Sequence, residues 1–268
     1  MQTIRLGIVG LGRLGYQHAQ NIAYRTPGVD LGAFCSILPE ELARAGKDFP
    51  AAKAYTDFTE MLQDKTLDAI FIASPSGLHC QHIESALTAG YHVFSEKPLG
   101  VNVPECEHIE QVVARYPEQV FMLGFMRRYD ASYAYARELV DAGRIGKPFM
   151  VRSISLDPEA AIAGAIRFAP TSGGIYLDMA VHDIDLSNWF LGGEPQSVYA
   201  VGGAFVHSEF AGFDDCDNAT VVLQYHNGGI AMLYVGRTAA HGYHIETEVI
   251  GPKGSLRIGS VPQKNLVQ

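Results

Sequence analysis

A chain of 268 residues with 47% hydrophobic content carries enough apolar side chain for more than one core. Its formal charge of −9 argues against nucleic acid as a partner, and no apolar run approaches the length that spans a bilayer. The four cysteines, Cys35, Cys80, Cys106 and Cys216, are scattered without a CxxC pair, so reduced thiols in the cytoplasm are expected rather than disulfides or structural zinc.

Met1 to Thr3 lead straight into Ile4 to Val9, which reads as a buried strand and leaves no room for a signal peptide. Gly10-Leu11-Gly12-Arg13-Leu14-Gly15 follows at once, and a helix from Tyr16 to Tyr24 comes next. In a strand–helix setting these glycines permit a tight turn, close approach to a pyrophosphate and close helix packing. The free N–H groups of the helix start then face the phosphates. Gly10, Leu11, Gly12, Arg13 and Leu14 are the expected contacts. A second strand, Val29 to Cys35, ends at Ser36, near the position where an acidic residue holds a ribose 2′-hydroxyl. Ser36 does not repel a 2′-phosphate and Ile37 does not attract one. Arg13 is the nearest cation in sequence, so the choice between NAD and NADP stays open.

Lys53 to Tyr55 reads as a short strand and Phe58 to Gln63 as a short helix. The strand Leu67 to Ala73 runs into Ser74-Pro75-Ser76-Gly77-Leu78-His79, and after a helix to Ala89 the strand Tyr91 to Ser95 runs into Glu96-Lys97-Pro98. Ligands of open α/β sheets bind at such carboxyl ends. Ala73, Ser74, Pro75, His79, Glu96 and Lys97 therefore join the expected cofactor contacts. A helix from Pro104 to Arg115 and a strand from Val120 to Leu123 complete a doubly wound parallel sheet. A dinucleotide-binding domain over 1–123 is expected.

From Phe125 a helix to Ala142 opens a second domain, 124–268, whose strand-like runs cover 149–156, 198–205, 218–225, 230–236 and 246–250. Asn227-Gly228-Gly229 suits a hairpin. The expected class is α/β, a Rossmann sheet followed by an α/β domain with an open, mainly antiparallel sheet. A free sheet face suggests a homo-oligomer, dimer or tetramer. Between these strands, Gly173 to Asp185 reads as a helix with Asp178, His182 and Asp185 on one stripe at i, i+4 and i+7. A carboxylate beside an imidazole makes an acid–base pair; a solvated polar face is the alternative. The spacing is also ligand-like, but one helix rarely completes a metal site, and no metal is expected.

GLGRLG, SPSGLHCQH, SEKPLG, GFMRRYD and GGIYLDMAVHDID, in that order, resemble the glucose–fructose oxidoreductase / inositol dehydrogenase / MocA family. The resemblance covers essentially the whole chain, and GFMRRYD with the 242–248 region is most similar to inositol 2-dehydrogenases. It implies NAD(P)-dependent oxidation of a secondary hydroxyl of a cyclic polyol, myo-inositol or scyllo-inositol. The family's lysine falls on Lys97 and its helix pair on Asp178 and His182. His182 is then the base, Lys97 stabilises the alkoxide, and Asp178 orients. Arg127, Asp157, Asp185 and Tyr243 are weaker substrate contacts, for which a salt bridge or surface role is equally open. Relatives usually continue beyond the position of Gln268, so an incomplete C-terminal end is expected. A sugar dehydrogenase, a transient-NAD glycoside hydrolase and a cofactor-binding sensor without turnover are the alternatives.

Overall fold

The computed structural model describes residues 3–260. They fall into two compact units divided between Gly124 and Phe125. No described helix is long and apolar enough to cross a membrane.

The first unit alternates strand and helix: β1 (Ile4–Val9), α1 (Arg13–Arg25), β2 (Val29–Cys35), α2 (Pro39–Asp48), β3 (Lys53–Tyr55), α3 (Phe58–Met61), β4 (Ala69–Ile72), α4 (His79–Thr88), β5 (His92–Ser95), α5 (Val103–Ala114) and β6 (Phe121–Leu123). The strands are parallel and lie in the order β3-β2-β1-β4-β5-β6. Alternation along a strand sends neighbours to opposite faces. Ile8 and Phe71 pack with Ala19 and Ile22 of α1, while Val9, Ile70 and Ile72 pack with Ile83 of α4 and Ile109 of α5. Side-chain caps start two of the helices: Asp57 accepts from Thr59 and Glu60 before α3, and Asn102 accepts from Glu105 before α5.

The second unit holds α6 (Ala131–Asp141), β7 (Met150–Pro158), α7 (Ile162–Ser172), α8 (Val181–Leu191), β8 (Pro195–Gly203), β9 (Asn218–Tyr225), β10 (Ile230–Ala239), β11 (His244–Gly251) and β12 (Gly254–Ser260). The sheet order is β12-β11-β7-β10-β9-β8. All neighbours are antiparallel except β7 and β10, so the sheet is mixed and mainly antiparallel. One face, with Val151, Val221 and Leu233, buries Tyr133 and Ala136 of α6 and Leu186 and Phe190 of α8. The other face carries Arg152, Thr220, Met232, Tyr234, Glu246 and Glu248 along a shallow groove.

Several elements differ from expectation. Between Ser36 and Lys53 a full helix, α2, forms with Pro39 in its first turn and Glu40 and Glu41 following. The continuous helix expected from Phe125 is broken: Met126–Tyr129 is a 3-10 turn, and α6 starts afresh where Asp130 accepts from Ser132 and Tyr133. The helix α7 and the edge strand β12 were not expected.

Asp64, after α3, is held down at about 2 by hydrogen bonds from Thr66 and then Tyr55. A carboxyl lowered on folding adds stability that is complete above the ordinary aspartate value near 4 and is lost as pH falls toward about 2. Asp64→Asn should therefore be less stable than wild type at pH 7, with the gap closing across that acid window in denaturant midpoints. Parallel curves would remove Asp64 from the acid response.

Candidate active site

In the first unit the glycine loop is shaped by close approach. Gly10 has φ +91°, and a Cβ there would lie 2.4 Å from the Ala73 carbonyl oxygen, so the loop abuts the end of β4. A Cβ on Gly15 would lie 2.0 Å from the Gly10 carbonyl oxygen, which brings α1 against the turn. At Gly12, which caps α1, a Cβ would meet nothing within 4 Å. Its exposed backbone, with Arg13 and Leu14 in the first turn, forms an open cradle of the kind a pyrophosphate needs. The residues present fit a dinucleotide.

Two further turns adjoin the carboxyl ends of β4 and β5. His79 is buried, with Nε2 2.9 Å from the Ser74 carbonyl oxygen and Nδ1 2.7 Å from that of Pro98. Both ring nitrogens lie against backbone carbonyl oxygens, so His79 sits between the two turns. Burial, then His79, push His82 down to about 4, which keeps it neutral beside the Ser74 hydroxyl at 3.0 Å. Glu96 pairs with His18 at 2.7 Å and accepts the Lys97 N–H at 3.3 Å. Lys97 itself is half-buried. Ser36 is buried at the end of β2 and donates to Glu41 Oε2 at 2.6 Å.

In the second unit, the expected single stripe is redistributed. Tyr176–Ala180 is one π-helical turn leading into α8, and the wider turn breaks the i, i+4 register between Asp178 and Asp185. Left-handed Gly173 and Gly174 let the chain leave α7 and enter it. Asp178 receives Arg237 Nη2 at 3.2 Å from β10. Arg237 is 2% exposed and donates its Nη1 to Asp215 at 2.8 Å, and Asp215 also accepts the Ile175 N–H at 2.7 Å. Asp178 is therefore a braced carboxylate.

His182 is half-buried, with its ring edge-on to Phe125 at 6.4 Å. The next residue, Asp183, points inward and is fully buried. Its Oδ1 accepts from Arg127 Nη1 at 2.5 Å, Ser153 at 2.5 Å and Ser155 at 2.7 Å, while Oδ2 has no hydrogen-bond partner among the described residues. Thr247 of β11 extends the network to Ser153 and Tyr133. Asp185 is bidentate with Arg128, at 2.8 and 2.6 Å.

Of the weaker substrate candidates, Arg127 and Asp185 are thus engaged in ion pairs, Asp157 is half-buried at the end of β7, and Tyr243 is half exposed beside β11. Asp183, Ser153, Ser155, Asp215 and Arg237 escaped sequence reasoning. For Ser153, Ser155 and Arg237 the signal was polar residues on inward-facing strand positions, the serines at period two and Arg237 in an apolar run; Asp183, on α8, and Asp215, in the loop before β9, carried no such signal. The chemistry available is a braced carboxylate one turn before an imidazole, and a lysine at a Rossmann strand end.

Residues 4–125 match the family model described as oxidoreductase family, NAD-binding Rossmann fold, and residues 133–257 match the one described as GFO/IDH/MocA C-terminal domain. The structure of scyllo-inositol dehydrogenase from Lactobacillus casei with bound NAD(H) and scyllo-inositol is 48% identical, with a TM-score of 0.92, over 99% of this chain and 79% of that one. Myo-inositol 2-dehydrogenase from Lactobacillus plantarum is 38% identical, with a TM-score of 0.93, over 99% and 79%. The myo-inositol 2-dehydrogenase of Thermotoga maritima is 32% identical over 98% of this chain and 78% of its own length.

Removing one partner of a buried ion pair strands the other charge, at about 3–5 kcal/mol. Arg127→Met should destabilise the protein by that order in urea unfolding. Adding Asp183→Asn to it should restore part of the loss, because no charge then remains to be stranded. Additive losses would mean that the two groups are not energetically coupled.

Proposed function

The chain belongs to the GFO/IDH/MocA family of NAD-binding oxidoreductases, and from that premise we propose that it oxidises a secondary hydroxyl of an inositol to the inosose. Scyllo-inositol and myo-inositol are the proposed substrates. The observation that carries the reading is the braced Asp178 one turn before His182, in a chain similar throughout to dehydrogenases of these two polyols.

Bound NAD supplies the two-electron acceptor. The chain's residues supply the rest. Gly10 to Leu14 bind the pyrophosphate through backbone N–H groups, and the Ala73-Ser74-Pro75 and Glu96-Lys97 turns, tied by His79, border the cofactor. His182 takes the hydroxyl proton on a ring nitrogen, as a neutral imidazole does near pH 7. The Lys97 ammonium stabilises the oxygen as charge develops on it. Asp178, held by Arg237, orients the imidazole or a neighbouring substrate hydroxyl. Asp157 and Tyr243 contact further hydroxyls, and Arg127 and Asp185 act through the ion pairs that set the backbone around them.

We also propose a homo-oligomer formed through the open face of the second unit's sheet. Tyr199, Val201, Met232 and Tyr234 are exposed there, an apolar set that a second copy would cover. Met232→Glu/Tyr234→Glu should shift the mass measured by light scattering toward the monomer. An unchanged assembly would place the contact elsewhere.

The function is tested by initial rates of NAD and NADP reduction over a panel of inositols and aldoses. Inositols should lead, and an aldose in front would favour the sugar dehydrogenase. His182→Ala and Lys97→Met should each lose about 10²–10⁴ in kcat, with NADH affinity nearly unchanged for His182→Ala. The double variant should lose less than the product of the single losses. A His182→Ala enzyme with near-normal kcat would move the base elsewhere.

A further inference from the structure

The end of β2 lacks the acidic residue that usually distinguishes ribose from its 2′-phosphate, yet a carboxylate is in contact with it. We infer that Glu41, held by Ser36, is the residue that makes this chain select NAD over NADP; the inference rests on the dinucleotide-binding reading of the first unit.

Ser36 is fixed by its backbone. Its N–H donates to the Tyr55 carbonyl at 3.2 Å, and the preceding Cys35 carbonyl accepts the Gly10 N–H at 3.0 Å. The side chain therefore emerges beside the glycine loop, where a Rossmann fold places the adenosine ribose. A hydroxyl has one proton to give. Ser36 gives it to Glu41 Oε2 at 2.6 Å and accepts the Leu38 N–H at 3.1 Å. The serine is thus the strut, and Glu41 is the group with acceptor capacity left over.

The sequence distance hides this. Glu41 comes five residues after Ser36, in the first turn of α2. A ribose diol can donate to that carboxylate. A 2′-phosphate brings only acceptor oxygens and like charge. The adjoining positions, Ile37 and Leu38, are exposed and apolar, and the glycine loop carries one exposed cation, Arg13. Arg44, three residues further along α2, is spent on the Leu11 carbonyl at 2.8 Å and on the face of Tyr16 at 3.7 Å.

The test is equilibrium binding of NADH and NADPH, followed by fluorescence, to the full chain and to Glu41→Gln and Ser36→Ala. Glutamine keeps the length and can still accept from Ser36, so folding is spared; circular dichroism checks it. Wild type should prefer NADH. Glu41→Gln should improve NADPH binding relative to NADH by about tenfold or more. Ser36→Ala, which frees the carboxylate, should shift the ratio in the same direction by less. Wild-type selectivity should weaken as salt is raised, because the repulsion is screened. A Glu41→Gln ratio equal to wild type, or a wild type that prefers NADPH, overturns the inference while leaving dinucleotide binding intact. Failure of wild type to bind either nucleotide overturns the dinucleotide-binding reading, and this inference with it.

Discussion

A single buried charge organises the second unit. Asp183 lies on the inner side of α8 with no exposed surface, and an isolated carboxylate in that position would be prohibitively costly. Arg127 and the hydroxyls of Ser153 and Ser155 satisfy one of its oxygens, which ties the start of α8 to β7 and to the turn before α6. Because His182 precedes Asp183, the inward turn of one sends the other along a different face of the same helix. The arrangement specifies geometry more than it adds stability, since buried ion pairs roughly break even against apolar packing. Arg237 does the same for the π turn, holding Asp178 against Asp215. Both carboxylates are positioned by arginines that themselves have little freedom.

The first unit depends on steric proximity more than on charge. Its glycines are required where backbone meets backbone: Gly10 against Ala73 and Gly15 against Gly10. His79 then joins the turns after β4 and β5 through two carbonyl oxygens, so the segment bearing Lys97 is anchored to the segment bearing Ser74. A binding surface built from turns gains its definition from such cross-ties, which reduce the ordering left to be done when a ligand arrives.

These two modes explain what the sequence made legible. The glycine loop and the strand-end turns could be read because their signal is local: a strand, a spacing and a helix in succession. The stripe of Asp178, His182 and Asp185 assumed 3.6 residues per turn, and the segment contains a π turn that nothing local in the sequence announces. The partners of those carboxylates, Arg237 and Arg128, lie 59 and 57 residues away in sequence. Asp183 follows His182 directly, and its burial is decided by serines of a distant strand, Ser153 and Ser155. The helix α2 was overlooked despite Pro39 and two glutamates at its start, and with it went Glu41, the carboxylate that Ser36 holds.

The central claim is hydride transfer from a polyol carbon, and isotopic transfer tests it most directly. Scyllo-inositol deuterated at its ring carbons, incubated with the protein and NAD, should yield the inosose and NADH carrying one deuterium on the nicotinamide ring, resolved by mass spectrometry. Myo-inositol deuterated at the oxidised carbon should do the same if it is also a substrate. Recovery of both polyols unchanged, with no deuterium in the cofactor under conditions where NAD is bound, would contradict the account.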